Sequence, residues 1–199
     1  MTQKQKPYFL SKSKLLSGIQ CPKRLFLEIH HPELLEVSEA AERLFKIGHD
    51  VGDIACRMFK GGKLIKSQDN LAEAIEQTHL MLKDSPKTPL FEATFTHAGI
   101  LIRADILKKT RKGYRLIEIK SATSVKDYHL DDAAIQTWVI ENSGYPLDRI
   151  EIGYINNQFI YPGNEDYDGL IVYEDVKNAV GEIISNVPVW IKEFRTMLG

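Results

Sequence analysis

Between Pro89 and Ser121 the apolar residues leave helical spacing for strand spacing, and turn signals interrupt the run twice. Leu90 to Thr96 reads as a strand, His97-Ala98-Gly99 as a turn, and Ile100 to Lys108 as its hairpin partner. Arg111-Lys112-Gly113 is a second turn, followed by a strand from Tyr114 to Ser121. Consecutive strands joined this tightly predict an antiparallel meander.

Upstream, the spacing is helical. Ser11 or Ser13 can cap a helix carrying Leu15, Leu16 and Ile19, with Leu25 and Phe26 further on and Pro22 bending or interrupting it. A second helix is predicted from about Ser38 to Phe59, with Ala41, Leu44, Phe45, Gly48, Val51, Gly52 and Ala55 along one stripe. Its small residues would let a neighbouring element approach closely, and Gly61-Gly62 would end it. A third helix covers roughly Asn70 to Lys83. Downstream, Asp131 to Asn142 reads as a helix ended by Gly144 and Pro146. Ile150 to Ile155 and Leu170 to Tyr173 read as strands, and Val176 to Leu198 as a helix disturbed at Pro188. This order predicts a single α/β domain over 1–199, with a mixed central sheet flanked by helices. Residues 1–85 form its mainly helical N-terminal region and 89–199 its α/β core.

Apolar residues at 43% and charged residues at 27% are ordinary for a globular chain. No apolar run approaches the roughly 20 residues that cross a bilayer, which excludes a membrane-spanning helix. The start MTQKQKPYFLSKSK lacks a secretory h-region, and Cys21 and Cys56 cannot make a disulfide framework. A reducing cytoplasm and buried cysteines are the expectation. Net charge is only −1, yet Lys4, Lys6, Lys12, Lys14, Lys23 and Arg24 all precede the first acid, Glu28. Such a basic start can bind phosphate or be a solvated tail.

The chemistry concentrates in the third strand, RLIEIK. Alternation puts Leu116, Glu118 and Lys120 on one face and Ile117 and Ile119 on the other. A carboxylate in so apolar a strand is costly to bury unless it is paired or holds a metal. Asp105 interrupts GILIRADIL in the same way, and closing the Arg111–Gly113 turn brings Asp105 almost opposite Glu118. Converging carboxylates repel each other but suit a hard divalent cation, to which the Ile119 carbonyl could add a ligand. Lys120 beside them can position or deprotonate an attacking water and offset charge on a phosphorane. A structural Asp/Glu/Lys ion-pair cluster is the alternative.

Four stretches together resemble the PD-(D/E)XK nuclease superfamily, in the RecB-like branch that includes the CRISPR-associated adaptation exonucleases. They are LSKSKLLSGIQCPKRLFLE, KIGHDVGDIA, IRADILKKTRKGYRLIEIKSATSVK and HLDDAAIQTWVI, spanning about Leu10 to Asn142. The resemblance implies a restriction-endonuclease-like fold and a Mg²⁺- or Mn²⁺-dependent DNA exonuclease. Asp105, Glu118 and Lys120 would be its catalytic set. His49 matches an additional metal ligand and Glu92 an auxiliary acidic position, with a solvent-facing strand residue the other reading of Glu92. Gln136 matches a glutamine expected to contact the DNA backbone or orient the lysine. Lys126 and Tyr128 could touch phosphate or a base. The branch often has Tyr where this chain has Ile140, with Trp138 the nearby aromatic.

Many members of the branch hold an iron–sulfur cluster through one N-terminal and three C-terminal cysteines. Cys21 matches the first, and nothing matches the others. No cluster is expected in this chain, which is either a cluster-free version or a piece of a longer protein. The implied partner is DNA, as single strands or ends, with a homo-oligomer or a larger DNA-processing complex left open. A non-catalytic nucleic-acid-binding or assembly module retaining the fold is the alternative function. A hydrolase of another phosphate ester is disfavoured, because no Gly-rich phosphate loop is present.

Overall fold

The structure, a computed structural model, describes residues 9–36, 38–66 and 70–199; Lys4 and Lys6 of the basic start lie outside them. A two-residue strand β1 (Leu10–Ser11) runs straight into helix α1 (Lys12–Gln20), which Ser11 caps by accepting a bond from the Lys14 amide at 3.4 Å. Pro22 interrupts the helical run as expected. Cys21 is extended, and α2 (Pro22–His30) restarts with the proline in its first turn, where a missing N–H costs nothing. Ser38 caps α3 (Glu39–Arg57), which stops before the glycine pair rather than at it. Gly62 has another task. A Cβ there would come within 2.1 Å of the Phe91 ring, so the glycine lets β2 (Lys63–Leu64) settle beside β3 (Leu90–His97). Between these strands lies α4 (Leu71–Asp84), capped by Asn70.

The predicted meander is present. β3 turns into β4 (Ile100–Lys109) through Ala98 and Gly99, whose positive φ values of 45° and 74° suit a two-residue hairpin turn. β5 (Tyr114–Lys120) returns antiparallel to β4, with Ile106 opposite Ile117. Helix α5 (Asp127–Asn142) begins earlier than Asp131, because the Lys126 amide donates to His129 Nδ1 at 3.1 Å and closes the first turn. The crossover it makes places β6 (Leu147–Ile155) parallel to β5. The chain ends with β7 (Ile171–Asp175) antiparallel to β6, then α6 (Lys177–Ile183) and α7 (Val187–Leu198), with Pro188 in the first turn of α7.

The product is an α/β arrangement around one mixed sheet in the order β2-β3-β4-β5-β6-β7. The larger core joins Leu15, Leu25, Leu82, Ile135, Val180 and Ile191 from six helices to one side of the sheet. The smaller one packs Val51 and Ala55 of α3 against Phe91, Ile106 and Ile117 on the other. The first 85 residues thus give the sheet two short strands as well as helices. The N-terminal half of the α3 stripe stays out of both cores, with Leu44 and Phe45 exposed.

One seam positions the candidate site. The β4–β5 ladder runs only from Lys109–Tyr114 to Ile106–Ile117. Further along, β3 still covers one edge of β4, while β1 pairs in parallel with Ile100 and Leu101. With the β3 edge taken, β1 must occupy the edge that β5 has left. Asp105 and Glu118 flank the point where β5 departs.

Candidate active site

Asp105 is turned by a break in strand alternation. Leu90 and Ala93 both belong to the larger core, as do Ala104 and Leu107, whereas Phe91 and Ile106 belong to the smaller one. The break falls at Glu92 and Asp105, where the register passes from Phe91–Ile106 to Ala93–Ala104. Glu92 takes it up with φ of 55°, a left-handed conformation costly for any residue with a Cβ. Across the seam, Asp105 Oδ2 accepts a bond from the Ile119 amide at 2.7 Å, replacing the strand ladder just where it ends.

Glu118 is buried at the same point, and both its oxygens are engaged. Oε1 accepts from Lys120 Nζ at 2.7 Å and from Lys12 Nζ at 2.9 Å; Oε2 accepts from Gln136 Nε2 at 2.6 Å. Asp132 on α5 completes the group. Its carboxylate meets Lys120 at 2.5 Å, Lys12 at 2.9 Å and Gln136 Nε2 at 2.9 Å. Gln136, at 0% exposure, is locked between two carboxylates and lies out of reach of a surface ligand. As placed, it does not reach the surface where a DNA backbone would lie. The glutamine orients Lys120 only through the acids that hold the lysine.

Charge within this group is nearly balanced. Burial alone would lower the Lys12 pKa, but Asp132, Glu118 and Asp105 outweigh it and hold the lysine above its usual range. Lys120 is held high in the same way against burial, by Glu118 and Asp132. Asp132, though buried, is pulled well below the usual carboxylate range by Lys12 and Lys120. Asp105 is the carboxylate left over. Burial and then the Glu118 charge push its pKa up to about 8. Asp105, Glu118 and Asp132 against Lys12 and Lys120 is one acid too many, and a further cation would relieve it.

Two clefts meet at this strand. One, of about 410 Å³, runs beneath α3 and is lined by His49, Glu92, Asp105, Glu118 and Ile119. The other, of about 820 Å³, lies on the α1–α5 side and is lined by Lys120, Asp132 and the exposed Tyr128; Phe45 lines both. Lys126 is exposed at the start of α5 and lines neither. Glu92 faces Arg103 at 3.8 Å rather than open solvent alone. Trp138 packs against His97 with centroids 4.9 Å apart, and Ile140 is core. Gly48 and Gly52 do not admit a close neighbour. A Cβ at Gly52 meets nothing within 4 Å, and one at Gly48 only the Ser121 hydroxyl at 4.0 Å, so both keep the cleft open. Cys21 is exposed, not buried; Cys56 lines the α3 cleft, with its thiol pushed up to about 12 by burial and then by Asp105.

Two carboxylates at the seam and the Ile119 backbone offer oxygens of the kind a hard divalent cation takes, and the His49 imidazole on the cleft wall is a donor suited to a transition metal. Among the described residues, however, no three His, Cys, Asp or Glu side chains stand close enough together to hold one as placed. Glu118 is turned to the lysines instead. Sequence reasoning found Asp105, Glu118, Lys120 and Gln136 and missed Lys12 and Asp132. Asp132 had a signal, since it lies one helical turn before Gln136 and so on the same face.

An α/β protein with a buried acid–lysine cluster at a strand seam is the class that this geometry defines. No family model matches the chain, and no curated protein does. Among solved structures, the crystal structure of SSO0001 is similar, with a TM-score of 0.44 and 15% identity over 94% of this chain and 78% of that one. A likeness of that size assigns neither a fold family nor an activity.

Proposed function

We propose that the chain is a Mg²⁺- or Mn²⁺-dependent deoxyribonuclease with a restriction-endonuclease-like sheet, of the RecB-like PD-(D/E)XK kind, acting on single strands or ends. The observation that carries the reading is the parting of β4 and β5 at Asp105 and Glu118, with Lys120 beside them and a cleft open on either side. Asp105, Glu118 and the Ile119 carbonyl would hold the cation, with His49 and Glu92 on the wall of the same cleft. When bound, it supplies a Lewis acid and a water of lowered pKa. The chain's own residues do the rest. Lys120, pinned between Glu118 and Asp132, presents an ammonium charge where negative charge builds on the phosphoryl oxygens. That placement favours charge stabilisation over deprotonation of water. Gln136 and Lys12 fix the two carboxylates that aim it.

The test is hydrolysis of labelled single- and double-stranded DNA with Mn²⁺. Asp105→Ala and Lys120→Ala should each lower the rate by about a hundredfold or more; variants that cut like the wild type refute the assignment. One observation favours a second reading, a non-catalytic nucleic-acid-binding or assembly module. Both Glu118 oxygens are already satisfied by protein donors. Calorimetry separates the two, since only the nuclease reading requires Mn²⁺ binding that disappears in Glu118→Gln.

A further inference from the structure

We infer that a cleft at the β4–β5 turn binds the phosphodiester backbone of DNA at a distance from the candidate active site. The cleft has a volume of about 610 Å³ and gathers seven of the chain's 26 lysines and arginines but one of its 27 acids. In a chain of net charge −1, this is placement rather than composition. A concave surface of one sign concentrates ligands of the other.

The cleft is built, not merely charged. Its one acid is spent, since Asp148 accepts from the Thr110 hydroxyl at 2.7 Å. That hydroxyl in turn accepts the Lys112 and Gly113 amides at 3.2 and 3.0 Å, which fixes the turn. Gly113 has no room for a Cβ, which would fall 2.3 Å from the Pro146 carbonyl oxygen. Lys177 is anchored to the carbonyls of Leu147 and Asp148 at 3.0 and 3.2 Å, and Arg115 is paired with Glu151. Against this braced rim Arg111, Lys112 and Arg149 are exposed, and among the described residues none of them pairs with an acid. With Lys108 and Lys109 set over the Phe59 and Tyr114 rings, these three are the charges left for a ligand.

The partner's class rests on the phosphodiester-cutting reading above, whereas the charge does not. Alternation puts Arg115 on the same face of β5 as Ile119, which lines the acidic cleft. Between them Ile117 lies buried under α3 on that face, so the turn and the Asp105–Glu118 seam are separate openings, roughly 20 Å apart along the two strands. DNA suits the span, because a duplex carries one negative charge per about 1.7 Å and can engage both clefts at once. Contacts of this kind position the substrate without reading its sequence.

The test is fluorescence anisotropy with the full chain in EDTA, using labelled duplex and single-stranded DNA of about 20 nucleotides between about 50 and 200 mM salt. Combining Arg111→Glu, Lys112→Glu and Arg149→Glu should weaken binding roughly tenfold or more and reduce the log–log salt slope by about 2–3. The melting temperature should not move, because the three side chains are exposed. Equal affinity and slope in the triple variant overturn the inference, as does a wild type that binds neither DNA. Phosphatidylserine vesicles and inorganic phosphate run as parallel arms; binding of either through these residues, without DNA binding, also overturns it. EDTA keeps cleavage silent, so a chain that binds here and cuts nothing retains this site and loses the nuclease reading.

Discussion

At Asp105, burial and the Glu118 charge outweigh Lys12 and Lys120, and the resulting shift has a sign. The ordinary pKa of the carboxyl is 3.8 and its folded value about 8. The folded state therefore holds the proton more tightly than the unfolded chain. The stability it contributes is complete below about pH 4 and is lost as pH rises to about 8. In EDTA the melting temperature of the wild type should fall relative to Asp105→Asn between those limits, and Mn²⁺ should abolish the fall. Parallel pH profiles that stay superimposed would contradict the assignment. Lys12 argues the opposite way. Removing one member of a buried ion pair leaves the other uncompensated, so Lys12→Met should cost about 3–5 kcal/mol by denaturant unfolding. The double variant Lys12→Met/Asp132→Leu should recover part of it, since no charge is then left alone with Lys120 and Glu118.

At the scale of elements, the meander and its register were legible because local chemistry sets them. Ala98-Gly99 and the Arg111–Gly113 turn fix which residues pair, and that pairing sets Asp105 beside Glu118, whereas the break in alternation at Glu92 that turns Asp105 had no local signal. The start of α5 was hidden because its cap is a histidine bond to the Lys126 amide, not a Ser, Thr, Asn or Asp. Lys12 was hidden by distance, since 106 residues separate it from Glu118. The glycines of α3 were misread for a physical reason. Small residues in an apolar stripe signal close packing only if something packs there, and at Gly52 nothing does. Gly52→Ala should accordingly stabilise the helix by about 0.5–1 kcal/mol. Gly52→Leu should fold equally well yet slow DNA hydrolysis by filling the cleft. A fall in its melting temperature would show that the position is packed after all.

For the whole molecule, a net charge of −1 conceals segregation. Acids collect at the β4–β5 seam, and cations at the far end of the same two strands. The lysine-rich start singled out in the sequence divides likewise. Lys12 enters the buried cluster and Lys14 pairs with Glu28 at 2.9 Å, so these two are structural rather than a free tail. The Lys12 bridge joins the beginning of the described chain to its middle and crosses the greatest loop in the site. A contact of that kind forms late in folding. Lys12→Met should therefore speed unfolding and leave the refolding rate nearly unchanged in stopped-flow denaturant jumps; slowed refolding would place the bridge in the nucleus.

The shared edge of β4 has a consequence for how such a chain is made. β1 can dock only where β5 has already turned away, and Lys12 finds its acids only after α5 has brought Asp132 into place. On a ribosome adding about 5–20 residues per second, β1 and Lys12 must wait several seconds for the partners that follow them. Until α5 is out, a nascent chain holds Asp105, Glu118 and Lys120 without the group that aligns them, and a chain interrupted earlier carries the acids of the site without its order.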